Sequence, residues 1–163
     1  MKGAIGNAFI LNTVITFIII FFTLLIGSMA FSKAYKTKNF LINKLEQFEL
    51  EGKKNIDMPY TQDRKDWDEQ VNEYLSKVGY PIATKNGSCE AISGYAKWIY
   101  SKTGQYDYCI YRKYHVHDTD KNPLMHRSYN YIVRVYMKLD FPIIGEYAKI
   151  PITGESKTYY MLK

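Results

Sequence analysis

The sequence predicts an α+β fold: a long hydrophobic N-terminal helix, then a short helix and a small antiparallel β-sheet head. Residues 1–32 of the 163-residue chain contain one charged side chain, Lys2. Farther along, apolar residues recur at helical steps of three and four, and beyond Tyr95 they alternate with polar residues as in strands. We therefore divide the chain into an N-terminal helix, residues 1–50, and a head, residues 51–163.

The composition argues against a disordered chain and gives no strong signal of nucleic-acid binding. Because 47% of the residues are hydrophobic and 16% are aromatic, the chain is not a disordered one. The net charge of +6 is modest, and the basic residues are interspersed with acidic ones rather than gathered in a stripe. Aromatic residues that alternate with Lys and Arg on the strands could bind nucleic acid, but a tyrosine-rich sheet surface that packs on neighbouring subunits fits equally well. We expect no nucleic-acid partner.

The first helix begins in a charge-free run from Gly3 to Ser32. Such a helix is about 45 Å long, at about 1.5 Å per residue, and the hydrocarbon core of a bilayer is about 30 Å thick. We predict that large apolar residues of this run lie in a membrane or in the core of a filament: Phe9, Ile10, Val14, Phe17, Ile18, Ile20, Phe21, Leu24 and Leu25.

A cleaved signal peptide is the competing interpretation of this run, because Ser28-Met29-Ala30 resembles a small-x-small cleavage site. The apolar core of a signal peptide is usually about 7 to 15 residues, and this run is longer. The basic segment before it consists of Lys2 alone. The pattern favours a retained helix.

The helix is predicted to continue to Leu50, because no proline interrupts it and Gly52 supplies a stop. In this second half the apolar residues follow one face, which indicates packing on the chain's own sheet. The predicted face comprises Phe31, Ala34, Tyr35, Lys38, Leu41, Ile42, Leu45 and Phe48.

A second helix is predicted after a connecting loop over residues 51–65. Asp66 is a suitable N-cap with Glu69 three residues later, and Gly79 and Pro81 end the helix. Its expected packing stripe comprises Trp67, Val71, Tyr74, Leu75 and Val78.

The remaining elements are predicted as strands of an antiparallel meander. One strand contains Tyr106, Tyr108 and Ile110, and residues 95–101 are expected to pair with it through a turn at Thr103-Gly104. A final strand is expected after Pro151. The central strand has one apolar face, made of Tyr129, Tyr131, Val133, Val135, Met137 and Leu139.

The two cysteines, Cys89 and Cys109, favour a single disulfide that closes a loop of about 20 residues. Two reduced, buried cysteines are the alternative. A disulfide requires an oxidising compartment, so we place the head outside the cytoplasm. Lys33, Lys36 and Lys38 oppose this placement, since the positive-inside rule would keep that flank in the cytoplasm.

No catalytic residue, cofactor or metal site is predicted, and we do not expect an enzyme. His115, His117 and His126 could ligate a metal, but they flank a polar loop and no acidic or cysteine pattern accompanies them. Asn86-Gly87-Ser88 is a formal glycosylation sequon that indicates exposure. Residues 150–154 look like a sorting signal, yet only nine polar and aromatic residues follow them.

The layout resembles type IV pilin-like proteins, and more narrowly the TadE-like pseudopilins of tight-adherence pili. The resemblance is carried by Lys2-Gly3-Ala4 with the charge-free run to Ser32, by the helix to Leu50, and by the carboxy-terminal segments 133–136, 141–145 and 150–154. It implies an N-terminal stalk helix, an α+β head outside the cell, and assembly into or priming of a pilus.

We therefore predict a structural subunit of a cell-surface filament that assembles through its N-terminal helix. The expected partners are copies of itself or related pilins, membrane lipid before assembly, and the pilus assembly machinery. The family usually carries a glutamate at the fifth mature position, where cleavage after Gly3 or Gly6 would leave Ala8 or Leu11. The alternative is a single-pass membrane-anchored accessory protein of a secretion, pilus or conjugation apparatus, with an extracytoplasmic binding head.

Overall fold

The computed structural model has the α+β fold that the sequence predicts. It describes residues 2–53, 56, 58, 60–80, 89–100, 108–116, 127–140 and 147–160. In chain order the elements are α1 (Lys2–Leu50), α2 (Gln62–Val78), β1 (Ala96–Tyr100), β2 (Tyr108–Val116), β3 (Arg127–Asp140), β4 (Tyr147–Glu155) and β5 (Tyr159–Tyr160).

Helix α1 is one uninterrupted helix of 49 residues, and its second half lies on the sheet. The buried stripe recurs at helical steps and comprises Ala34, Thr37, Leu41, Leu45 and Phe48. The predicted face was wrong at its edge, because Phe31 and Tyr35 are exposed and stack on each other with ring centroids 6.0 Å apart. Thr37 is buried in their stead, since it lies in line with Ala34 and Leu41.

Helix α2 begins five residues earlier than predicted, at Gln62, and its N-cap is Thr61 rather than Asp66. The Thr61 side-chain oxygen accepts a hydrogen bond from the Arg64 backbone N–H at 3.3 Å, as an N-cap should. The helix ends as predicted at Gly79, whose φ of 65° is the left-handed conformation that glycine adopts without strain.

The sheet is the predicted antiparallel meander, with strand order β1-β2-β3-β4 and β5 also paired with β3. The C-terminal strand prediction was wrong in its bounds. Pro151 lies inside β4, opposite Tyr136, and β5 contains two residues. A proline is tolerated there because β4 is the last strand on its side and needs no second ladder partner.

The main core lies between the inner face of the sheet and the two helices. It joins Leu41, Leu45 and Phe48 of α1 to Trp67 of α2 and to Val133 of β3, all of them fully or almost fully buried. Residues before and after the predicted boundary at residue 50 therefore form one core. A smaller cluster covers the outer face and comprises Cys89, Cys109, Tyr111, Ile132 and Tyr136.

Several sequence-based predictions fall outside the described residues. These are the sequon at Asn86-Gly87-Ser88, the turn at Thr103-Gly104, and the polar loop with His117 and His126.

Candidate functional site

The feature that distinguishes this molecule is the first half of α1, which is apolar and largely exposed. We call residues 8–31 the apolar segment. All nine of the large apolar residues predicted to face a membrane or a filament core are exposed, by 45% to 73% of their surface. Exposed apolar surface of this extent marks a site of contact with lipid or with another protein.

The apolar segment is long enough to cross the hydrocarbon core of a bilayer. Its 24 residues span about 36 Å at about 1.5 Å per residue, against a hydrocarbon thickness of about 30 Å. Within the described part of the chain, α1 is the one helix that is long and apolar enough to cross a membrane, by length and composition.

The threonines of the segment keep their hydroxyl groups bonded within the helix. Thr13, Thr16 and Thr23 each donate a hydrogen bond to the backbone carbonyl four residues earlier, at 2.8 to 2.9 Å. A hydroxyl satisfied in this way can enter an apolar environment without an external partner. The threonines are therefore compatible with lipid or with a packed helical bundle.

Small and polar residues of the segment share one side of the helix. At 100° per residue, Asn12, Thr16, Thr23, Gly27 and Ala30 lie in line with the buried stripe that begins at Ala34. Small residues allow helix backbones to approach closely in membranes. This side also carries Phe9 and Ile20, so it permits close approach of a neighbouring helix at Thr23, Gly27 and Ala30.

A cluster of tyrosines holds the end of α1 to the sheet. The Glu49 carboxylate accepts hydrogen bonds from the hydroxyl of Tyr129, at 2.9 Å, and from that of Tyr131. We call these three residues the Glu49 latch. Burial, and then the hydrogen bond to Glu49, raise the pKa of both phenols above their ordinary value of 10.0.

Tyr80 holds the end of α2 to the sheet, at the opposite end from the Glu49 latch. The ladder between β2 and β3 ends at the pair Tyr108 and Val135. One residue farther, the Tyr80 hydroxyl accepts from the Tyr136 backbone N–H at 2.8 Å and donates to the Tyr136 carbonyl at 3.0 Å. The side chain thereby occupies both backbone hydrogen-bonding groups of Tyr136 and joins the end of α2 to β3.

The predicted disulfide between Cys89 and Cys109 is present. It links the segment before β1 to β2 on the outer face of the sheet, with a Cα–Cα distance of 5.8 Å. Next to it, the Tyr111 hydroxyl donates to the Glu90 carbonyl at 2.6 Å. The disulfide thus attaches the segment before β1 to the outer face of the sheet.

A cavity of about 360 Å³ opens where the apolar segment meets the head. We call it the junction cavity. Its lining combines apolar side chains of α1 with basic and aromatic residues, namely Ile26, Met29, Ala30, Lys33, Gly79, Tyr80, Tyr136 and Lys138.

The structure brings no metal-binding group together within its described residues, where no three His, Cys, Asp or Glu side chains form a suitable cluster. His115 is half-buried on β2, and its Nε2 lies 3.0 Å from the Asn130 side-chain oxygen.

Sequence reasoning missed the Glu49 latch, Tyr80 and the junction cavity. Glu49 lies outside the predicted apolar face of α1, and Tyr80 lies between Gly79 and Pro81, where the sequence predicts only the end of α2. The signal that could have found the latch is the row of tyrosines on the apolar face of β3. Buried tyrosines need a hydrogen-bond partner for the hydroxyl group.

By fold and exposed surface, the chain is an α+β head joined to one helix that fits a single-pass membrane anchor. Comparisons with protein-family models, with curated proteins and with solved structures found no match to this chain. The geometry of α1 and of the head therefore supplies the argument for function.

Proposed function

We propose that this chain is a structural, pilin-like subunit of a cell-surface filament, assembled through its hydrophobic N-terminal helix. The observation that supports the proposal most directly is the change of environment along α1. One continuous helix is exposed and apolar through residues 8–31, and it becomes part of the core of the head from Ala34 onward.

A helix that is apolar all round requires apolar surroundings on every side. Lipid supplies them before assembly, and neighbouring copies of the same helix supply them in a filament. Contact of one face of a subunit with a different face of the next does not close on itself, so it builds open filaments. The small and polar side of the segment, with Thr16, Thr23 and Gly27, is suited to such helix–helix contact.

The disulfide supports a head outside the cytoplasm, because disulfides persist in oxidising compartments. Thiol labelling tests this placement. Protein isolated from cells under acid-quenched conditions should not react with a thiol reagent until it is reduced. Reactive Cys89 and Cys109 in fresh protein would contradict an extracytoplasmic head.

A second candidate is a single-pass membrane-anchored accessory protein of a secretion, pilus or conjugation apparatus. The observation that favours it is the absence of any acidic residue in the sequence of residues 1–32. Such a protein would stay in the membrane and never enter a filament.

Shearing of cells separates the two candidates. A filament subunit should appear in the sheared, sedimentable fraction as filaments under the electron microscope, whereas an accessory protein should remain in detergent-extracted membranes. In the Ile19→Lys variant we expect filaments to disappear, because a charge is costly at the centre of an apolar segment. Leu50→Lys is the matched control, since Leu50 is 86% exposed at the end of α1.

Two results would contradict the filament proposal. One is normal recovery of Ile19→Lys in sheared filaments, and the other is a complete absence of the wild-type chain from them. In both variants the near-ultraviolet circular dichroism should match the wild type, since neither residue lies in the core of the head.

A further inference from the structure

We propose that the junction cavity binds the headgroup of one anionic phospholipid, whose phosphate lies between Lys33 and Lys138. The acyl chains of this lipid follow α1 past Met29 and Ile26. The inference rests on the membrane-inserted stage of the proposed function and deepens it by naming the lipid that the subunit selects.

The lining of the cavity has the two kinds of surface that a phospholipid presents. Ile26, Met29 and Ala30 form an apolar wall continuous with the apolar segment, and Lys33 and Lys138 add positive charge. No carboxylate belongs to the described part of the lining. The cavity therefore matches an apolar chain joined to an anion.

The position of the cavity along α1 agrees with the depth of lipid headgroups. Lys33 is the first charged residue after the charge-free run that ends at Ser32, so it lies where α1 leaves an apolar layer. The headgroup layer adds about 5–7 Å on each side of the hydrocarbon core. Side chains on a helix tilt toward its N-terminus, so the Lys33 ammonium group is directed back toward that layer.

The competing role for Lys33 is an internal one. A methyl group placed on Gly79 would lie 3.5 Å from the Lys33 Nζ atom, so this ammonium group is close to the C-terminal end of α2. Cations stabilise that end of a helix. If this were the whole role of Lys33, its loss would lower the stability of the head without changing which lipid is retained.

Native mass spectrometry of the full chain in detergent tests the proposal. The two probes are phosphatidylglycerol and phosphatidylcholine with identical acyl chains, and glycerol phosphate serves as a headgroup without chains. We expect one phosphatidylglycerol to be retained in preference to phosphatidylcholine. Affinity should fall about fivefold in Lys33→Gln and about 25-fold in the Lys33→Gln/Lys138→Gln double variant, from roughly 1 kcal/mol per basic residue.

Lys33→Arg keeps the charge and should retain the lipid. Lys77→Gln is the matched control, because Lys77 is exposed on α2 and pairs with Glu73 at 2.6 Å, outside the cavity. Folding of each variant is verified by its near-ultraviolet circular dichroism.

Equal retention of the two phospholipids would overturn the proposal. So would a loss in Lys77→Gln as large as that in Lys33→Gln, or glycerol phosphate binding as tightly as the intact lipid, which would indicate a soluble phosphate instead. These failures are distinct from failure of the filament proposal, which shearing and microscopy detect independently of lipid choice.

Discussion

At the scale of single residues, tyrosine hydroxyl groups hold the helices to the sheet. The hydroxyl groups of Tyr129 and Tyr131 attach α1 through Glu49, and that of Tyr80 attaches α2 through the backbone of Tyr136. These contacts are far apart in sequence, so they fix how the helices lie on the sheet.

Loss of the Tyr80 hydroxyl should lower the free energy of unfolding of the head. In Tyr80→Phe the Tyr136 backbone groups lose their partner inside the protein, and a buried unsatisfied polar group costs about 1–3 kcal/mol. We expect a decrease of this size in the free energy of unfolding, measured by urea denaturation of the full chain in detergent. Tyr160→Phe is the control, because Tyr160 is 69% exposed, and an equal loss there would contradict the assignment.

The buried phenols predict an alkaline limit to the stability of the head. Burial raises the pKa of Tyr108 and Tyr159 to about 12, from an ordinary value of 10.0. Because the folded state favours the protonated phenol, the stabilisation is complete below pH 10 and is lost as the pH rises through 12. The melting temperature should therefore fall across this window while phenolate absorbance rises.

Removal of one phenol tests the origin of that limit. In Tyr131→Phe one fewer group differs in pKa between the folded and unfolded states, so the slope of stability against pH above 10 should be shallower. A slope identical to that of the wild type would show that other groups set the alkaline limit.

At the scale of elements, the two halves of α1 contribute very differently to the stability of the head. Leu45 is fully buried in the head and Leu24 is 68% exposed, although both belong to the same uninterrupted helix. Leu45→Ala should lower the free energy of unfolding of the head by about 2–5 kcal/mol, whereas Leu24→Ala should change it by less than about 0.5 kcal/mol. Urea denaturation, followed by near-ultraviolet circular dichroism, measures both, and equal effects would contradict this division.

The elements differed in how well the sequence could predict them. Helix α1 was located by its charge-free run, by the absence of proline and by the apolar face of its second half, and strand β3 by its alternating pattern. The first turn of α2 is polar, and its Arg64 is buried by packing against neighbouring segments, which apolar periodicity cannot show. Pro151 looked like the start of a strand because the edge position that tolerates it is a property of the sheet.

The apolar segment was predictable as a candidate site because absence of charge is a property of sequence. The Glu49 latch and the junction cavity were not. Both depend on where α1 lies across the strands, and this register is set by the packed core of Leu41, Leu45 and Phe48 against the sheet.

At the scale of the whole molecule, the disulfide contributes stability that depends on the surroundings. It closes a loop with a sequence separation of 20, for which chain entropy gives about 3 kcal/mol. The Cys89→Ser/Cys109→Ser variant should lose about that much in urea denaturation, and reducing agent should then have no further effect. Unchanged stability in the double variant would contradict a structural role.

Lipid selection would also account for a conflict in the sequence. The lysines after the apolar run oppose an external head under the positive-inside rule, whereas the disulfide favours one. If Lys33 binds a phosphate, as we propose for the junction cavity, its charge serves a bound lipid and carries less weight as an indicator of orientation.

The absence of a hinge in α1 has a mechanical consequence. Because the same rod passes from the apolar segment into the core of the head, a tilt or rotation imposed on one end is transmitted to the other. In a filament, tension along the fibre would load the latch at Glu49 and the contacts around Leu45 directly. The contacts between α1 and the head would then resist displacement of a subunit within the filament.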